Sequence, residues 1–331
     1  PTGSGKTTIA KRIVEMAAKR NVRVTILDWK GEYTSYVKNA VVVRKINIWD
    51  NGGRTPTEKA VIAVEMLREI TRDIADVSSA SAALLLKELI KLYREKEIPT
   101  TKDVVDRLDR FMQTALAERR LAEANMAAAL LRRLHWLLID EERPDENENA
   151  YRNPAVTIYD LSSTSSSYLK TLYALAILSK KYYMALKTGT NNKLLEILVA
   201  EEAQNFAYTR RVGEPPSMAE RIIYELRGYG VGVVLVCPDP ELLPSPILKD
   251  VGTIISMSPD TLPRFALERF FSRASLEEAE DVLKQLKKAK ATLYYRGRLH
   301  FLRRLPRPPR ELKARPKGDR TGVTDSGVGS L

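Results

Sequence analysis

Cysteine is nearly absent from this chain. Cys237 stands alone, which excludes an internal disulfide and a cysteine zinc cluster and suits a reducing compartment. Histidine is almost as scarce: His135 and His300 lie far apart and leave little for an imidazole metal site. No apolar run approaches the roughly 20 residues that a membrane helix needs. What remains is a chain of 331 residues, 44% hydrophobic and 29% charged, enough for one large α/β domain or two smaller ones. Its net charge is +12 and uneven. Between Ala291 and Arg320 stand ten Lys or Arg against Glu311 and Asp319. A basic surface favours nucleic acid or an acidic membrane face; the plain alternative is a soluble, disordered tail.

The chain opens on "PTGSGKTT", with most of a phosphate-binding loop. The loop's customary first glycine would precede Pro1. That leaves room for an upstream membrane segment or domain. It also predicts that the strand feeding the loop lies upstream, with an open sheet position beside Val22 to Asp28. Thr2, Gly3, Ser4, Gly5, Lys6, Thr7 and Thr8 are the candidate phosphate-binding residues. Backbone N–H groups in such a turn hold phosphate oxygens, and glycine lets the phosphate come close. Lys6 would reach the β/γ-phosphates, and the Thr7 hydroxyl would bind Mg²⁺. A chance Gly-rich turn is the alternative. The amphipathic helix that follows directly, Lys6 to about Arg20, argues against it.

Such a loop requires a carboxylate at the mouth of another strand. "EILVAEEAQNF" supplies two: Glu201 to orient the metal's water and Glu202 to polarise the attacking water. An acidic helix N-terminus is the competing reading. In "ILDWKGEY", Asp28 ends a strand and is a metal candidate or a turn residue, and Asp160 closing "TIYD" is equally open.

Further strands are expected at "RKINIW" (44–49), "AVTIYDL" (155–161), "LLEILVAEE" (194–202), "GVGVVLVCP" (230–238), "GTIISM" (252–257) and the hairpin pair "ATLYYR"/"LHFLRR". Four amphipathic patterns fill the span from Thr57 to about Asp140, with starts expected at Thr57, Ser81 and Thr101. The divisions are 1–56, the start of an α/β nucleotide-binding core; 57–150, an all-α insertion; 151–305, the rest of the core; and 306–331, a basic Pro-rich tail expected to be disordered.

"PTGSGKT", "LDWKGEY", "VTIYDLSS", "VAEEAQNF" and "RGYGVGVVLV", in this order, resemble the HerA/FtsK superfamily of hexameric DNA-pumping ATPases. The resemblance is nearest to its HerA branch and to the ATPases of conjugation and type IV secretion. It implies a RecA-like P-loop NTPase fold with a mainly parallel sheet, and ATP with Mg²⁺ as cofactors. It implies DNA and further copies of the chain, as a hexamer, for partners, with a membrane channel protein or a nuclease as further options. A cytoplasmic setting follows, with the inner face of the cell membrane as an alternative. Lys6 and Thr7 match its ATP- and Mg²⁺-binding residues, Glu201 its metal-orienting acid, and Glu202 its general base. Arg227 matches the arginine contributed to a neighbouring subunit's ATP; by itself it reads as a helix C-terminal charge. One departure stands out. The superfamily ends the "GVGVVLV" strand with Ser-Gln or Thr-Gln, whereas this chain has Cys237-Pro238-Asp239-Pro240, and proline offers no donor. A DNA translocase is the leading reading. An ATP-binding assembly scaffold with weak hydrolysis is the second. A small-metabolite kinase is disfavoured by the helical insertion.

Overall fold

The computed structural model describes residues 5–38, 40–75, 77–141, 155–164, 166–208, 215–257, 275–286, 289, 291–295, 298–302 and 311–313. Its centre is strand β1 (Arg23–Asp28), whose sequence RVTILD is buried from Val24 onward. A strand buried on both faces belongs in a parallel sheet covered by helices on each side. Here β1 lies between β4 (Val156–Asp160) and β5 (Glu196–Ala200). β3 (Val41–Val43) flanks β4, and β6 (Val231–Leu235) flanks β5. All four pairings are parallel. Period-two alternation divides the side chains. Val24, Ile26, Ile158 and Val199 pack with Ala10, Val14 and Ala17 of α1 (Lys6–Lys19). Leu27, Leu198 and Ala200 join the other cluster, with α6 (Ser167–Thr188) and α7 (Met218–Leu226). Each such apolar side chain contributes about 1.5–3 kcal/mol on burial.

The expected open position beside β1 is not there, because β4 and β5 occupy both of its edges. Among the described residues the sheet ends at β6. A cavity of about 700 Å³ runs along that strand, lined by Ile9 and Ile13 of α1 and by Ile254 of β7 (Thr253–Ser256). The helical run lies between β3 and β4, as α2 (Pro56–Ala75), α3 (Ser79–Glu95), α4 (Thr101–Ala117) and α5 (Leu121–Glu141). Its caps are local. Ser78 accepts from the Ser81 N–H, so α3 begins two residues before the expected start, and Thr100 forms a capping box with Asp103. The apolar faces of these helices share one cluster with α6, so this segment is packed onto the sheet layer.

"RKINIW" is not a strand; the third strand is Val41–Val43, just before it. Side-chain anchors hold this stretch instead of a ladder. Asn47 Nδ2 donates to the Pro99 carbonyl (2.9 Å), and the buried Trp49 donates from Nε1 to Thr101 Oγ1 (3.1 Å). The Tyr93 hydroxyl donates to the Trp49 carbonyl (2.8 Å). The tail also departs from expectation. β10 (Leu312–Lys313) pairs parallel with β2 (Val37–Lys38), and Leu312 is buried in the α1-side cluster. An apolar residue in a basic stretch found an apolar dock beside Tyr33 and Tyr36. The remaining tail, residues 142–154, the turn residues Arg296 and Gly297 and the whole of 258–274 lie outside the described residues. β7, β8 (Ala291–Tyr295) and β9 (Arg298–Leu302) form a separate antiparallel sheet, as the hairpin pattern predicts for the last two. A short helix α8 (Ser245–Asp250) precedes it and α9 (Leu276–Leu286) intervenes. No helix among the described residues is long and apolar enough to cross a membrane.

Trp49 joins the sheet layer to the helical run, so Trp49→Ala removes both a core side chain and a buried hydrogen bond. The expected loss is about 3–5 kcal/mol, read as a lower midpoint in urea unfolding.

Candidate active site

The C-terminal ends of β1, β4 and β5 stop at one level. Asp28 is in register with Asp160, and Leu27 with Ala200, so Glu201 follows at the same edge. Ligands of open α/β sheets bind in the crevice beyond such ends. Helix α1 starts there. Its N-cap Gly5 has φ 100°, a left-handed conformation that glycine adopts without penalty, and the first turn holds no acid. The unpaired N–H groups that begin any helix and the Lys6 ammonium are the chemistry that holds an anion, and this turn presents both at the strand ends. Thr7 and Thr8 lie in the same turn, while Thr2, Gly3 and Ser4 fall outside the described residues.

Thr7 meets the first of the two acids: its hydroxyl hydrogen-bonds to the Glu201 carboxylate. Glu201 is only 3% exposed and also accepts from the Tyr33 hydroxyl (3.1 Å). Burial pushes its carboxyl above the ordinary range. The Tyr33 hydrogen bond opposes that, and the charges of Glu32 and Asp28 add to it. A buried carboxylate among other acids is a place that a cation relieves. The donors are a hydroxyl and a carboxylate, hard oxygens suited to Mg²⁺. Among the described residues there is no cluster of three or more His, Cys, Asp or Glu poised for a metal. Mg²⁺ does not need one, because it is held through one or two protein oxygens plus substrate phosphates.

Glu202 is different. Its backbone is left-handed (φ 48°, ψ 43°), a costly conformation for a residue with a Cβ, of the sort that collects at functional sites. Lys30 Nζ lies 2.5 Å from Oε1, and Gln204 Nε2 donates to Oε2 at 2.7 Å. Burial pushes this carboxyl up. The hydrogen bonds from Lys30 and Gln204, with the charges of Lys30 and Lys6, outweigh it and hold the group below the ordinary carboxylate range. Environment thus drives the two adjacent acids apart, the pattern of groups with different chemical roles.

Asp28 is fully buried, and its oxygens are already engaged. Oδ1 accepts from the Gly31 and Glu32 N–H groups (2.9 and 3.0 Å), and Oδ2 from that of Tyr33 (2.8 Å). Those bonds make it the organiser of the loop that follows, and they leave it badly placed as a direct metal ligand. Asp160 is likewise occupied, by Ser162 and Arg44. Arg227 is not brought to the acid pair. It is exposed at the end of α7, before the N-terminal end of β6. The strand's five residues, at about 3.3 Å each, separate that end from the site by roughly 15 Å. At the C-terminal end of β6, Pro238 lines the same cavity as Lys6, and the Asp239 carboxylate caps the turn at Glu241 (2.9 Å). Asp239 is therefore no substitute for a glutamine donor. Burial pushes the Cys237 thiol up to about 11, which leaves it inert as a nucleophile.

Sequence reading missed Lys30, Tyr33 and Gln204 as site residues. The available signal for Lys30 and Tyr33 was "DWKGEY" itself, and Gln204 stands two residues after Glu202 in "EEAQNF". An Asp three residues before Gly is a turn pattern, and a turn at a strand end aims its side chains across the sheet edge.

A family model described as the central domain of the helicase HerA matches residues 1–180. The chain belongs to the HerA central-domain family. No protein of curated function matches it by sequence. Among solved structures, VirB4 of Thermoanaerobacter pseudethanolicus superposes with a TM-score of 0.65 at 15% identity, covering 94% of this chain and 88% of that one. The bacterial conjugative coupling protein TrwBdeltaN70 gives a TM-score of 0.60 at 14% identity, covering 92% and 85%. Plasmid coupling protein TrwB in complex with ADP and Mg²⁺ gives 0.52 at 16%, covering 82% and 72%. At these identities the likeness establishes the fold, which is that of RecA-like P-loop ATPases.

Gly31 holds φ 77°, and a Cβ there would fall 2.8 Å from Ser162 Oγ. Gly31→Ala is expected to destabilise by about 1–2 kcal/mol from the left-handed backbone alone, with the clash added. Its thermal midpoint should fall below wild type and recover in part when Ser162→Ala is combined with it.

Proposed function

We propose that this protein is a Mg²⁺-dependent ATPase that drives DNA translocation as a ring, most naturally a hexamer. The observation that carries the reading is the convergence of Thr7, Glu201 and Glu202 at one strand end beside Lys6. In this reading the first turn of α1 and Lys6 bind the β- and γ-phosphates, with Thr2 to Thr8 as the binding segment. Thr7 and Glu201 hold Mg²⁺, which when bound neutralises charge on the transferring phosphoryl group. Glu202 accepts a proton from the attacking water as its oxygen bonds to the γ-phosphorus. The bond to the bridging oxygen then breaks, giving ADP and phosphate. Asp28 supports the site through its loop. Arg227, set apart from the acid pair by the length of β6, serves a neighbour's nucleotide, which makes hydrolysis depend on assembly. The structural relatives include conjugation proteins, one of them in complex with ADP and Mg²⁺, and the basic net charge suits DNA phosphates. The division into a nucleotide-binding core, 1–56 with 151–305, an insertion at 57–150 and a basic tail fits the same reading. A membrane channel protein or a nuclease is the further partner in the settings where such motors act, with the protein in the cytoplasm or at the inner face of the membrane.

Pro238 favours a second reading, a nucleotide-binding scaffold with weak hydrolysis. One experiment separates the two: ATPase rates with and without single- and double-stranded DNA, alongside sizing with nucleotide. The translocase reading expects DNA stimulation, a ring-sized species, and a loss of about 10²–10⁴-fold in Glu202→Gln. A monomer with no DNA response sinks it. In mixed assemblies, Arg227→Ala subunits should poison wild-type neighbours, so that activity falls faster than the wild-type fraction. A loss merely proportional to that fraction removes the role in trans.

A further inference from the structure

The loop from Trp29 to Tyr33 touches both acids: Lys30 reaches Glu202, and the Tyr33 hydroxyl reaches Glu201. Its backbone is pinned on either side of Lys30. Before it, the buried Trp29 offers its carbonyl to Lys170 Nζ (3.2 Å), which also stands 5.8 Å from the Trp29 ring centroid. After it, Gly31, Glu32 and Tyr33 donate their N–H groups to Asp28. Lys30 is thus a flexible side chain on a fixed base, 49% exposed along its length, with its ammonium against a carboxylate that is 22% exposed. Ordinary exposed ion pairs contribute little, because both side chains must be ordered to form them. Here one partner's backbone is fixed and the other sits on a left-handed residue whose second oxygen is held by Gln204.

We propose that Lys30 is a positioning residue for the candidate general base, holding the Glu202 carboxylate in the orientation from which it takes the proton of the attacking water. The proposal rests on the functional reading above. It explains the Lys-Gly-Glu-Tyr stretch as one loop, built by Asp28, that holds both acids through Lys30 and Tyr33. Orientation lost at a reacting centre is costly even when no contact to substrate is lost.

The test uses Lys30→Met and Lys30→Arg in the full chain, with steady-state ATPase rates, affinity for a fluorescent ATP analogue and thermal melting. Lys30→Met is expected to lower kcat by about tenfold to a hundredfold, with KM, nucleotide affinity and melting close to wild type. Lys30→Arg should recover most of the rate. Adding Lys30→Met to Glu202→Gln should cause no further loss in single-turnover hydrolysis, because the first acts through the second. An unchanged kcat in Lys30→Met overturns the proposal. So does a loss that multiplies fully with Glu202→Gln, or one matched by an equal loss of nucleotide affinity. If Glu202→Gln itself hydrolyses ATP at the wild-type rate, the base assignment falls and Lys30 falls with it. If Glu202→Gln is inactive while Lys30→Met is normal, only the Lys30 proposal fails.

Discussion

The Asp28 carboxylate is the interaction on which the site depends. It sits fully buried at the end of the central strand and accepts three successive backbone N–H groups. Burial pushes its carboxyl up, the three N–H bonds pull it down, and the nearby charge of Asp160 reinforces the upward direction. Such a group is tolerated only while its partners stay in place, because an orphaned buried N–H costs about 1–3 kcal/mol. The sheet therefore dictates the loop. β1 ends, the carboxylate gathers the next turn, and the turn delivers Lys30 and Tyr33 to acids carried by the neighbouring strand.

The two acids are adjacent in sequence, yet their surroundings have little in common. Glu201 points inward to Thr7 and Tyr33. Glu202 turns out of the strand through a left-handed residue and meets Lys30 and Gln204. A regular strand would also send neighbouring side chains to opposite faces. The left-handed turn instead brings both carboxylates to the same strand end beside α1. The left-handed backbone at Glu202 thus sets where the second carboxylate lies, against Lys30 and Gln204.

Much of this was legible in the sequence, and the parts that were not share a cause. Runs such as RVTILD, EILVA and VGVVL read as buried parallel strands because β-branched and aliphatic residues left no polar face to expose. The helical run was legible through its three- and four-residue spacing, and Thr100 and Ser78 set its starts to within two residues. RKINIW failed because its alternation imitates a strand. Its polar positions are met by Pro99, Thr101 and Asp160 from distant parts of the chain, which no local pattern announces. Strand order failed for the same reason. A strand lying upstream predicts an open position beside β1, whereas pairing is decided by crossovers that put β4 and β5 there. Leu312 was lost in a basic stretch because its partner, Val37, lies far back in the chain.

Asp28 shows the limit most sharply. From sequence, a carboxylate at a strand end next to a phosphate loop is equally a metal ligand or a turn builder, because both need the same residue at the same place. Only the count of donors around it separates the two. Three backbone N–H groups across both oxygens commit it to the turn. A similar count bears on Pro238. That position offers no donor, and Asp239 beside it is spent on the Glu241 N–H. The side-chain donors gathered at the acid pair are instead Lys30, Tyr33 and Gln204, with Lys6 and Thr7 from the helix. Two of these donors, Lys30 and Tyr33, come from the loop that Asp28 builds after β1, on the other side of the acids from β6 in the strand order.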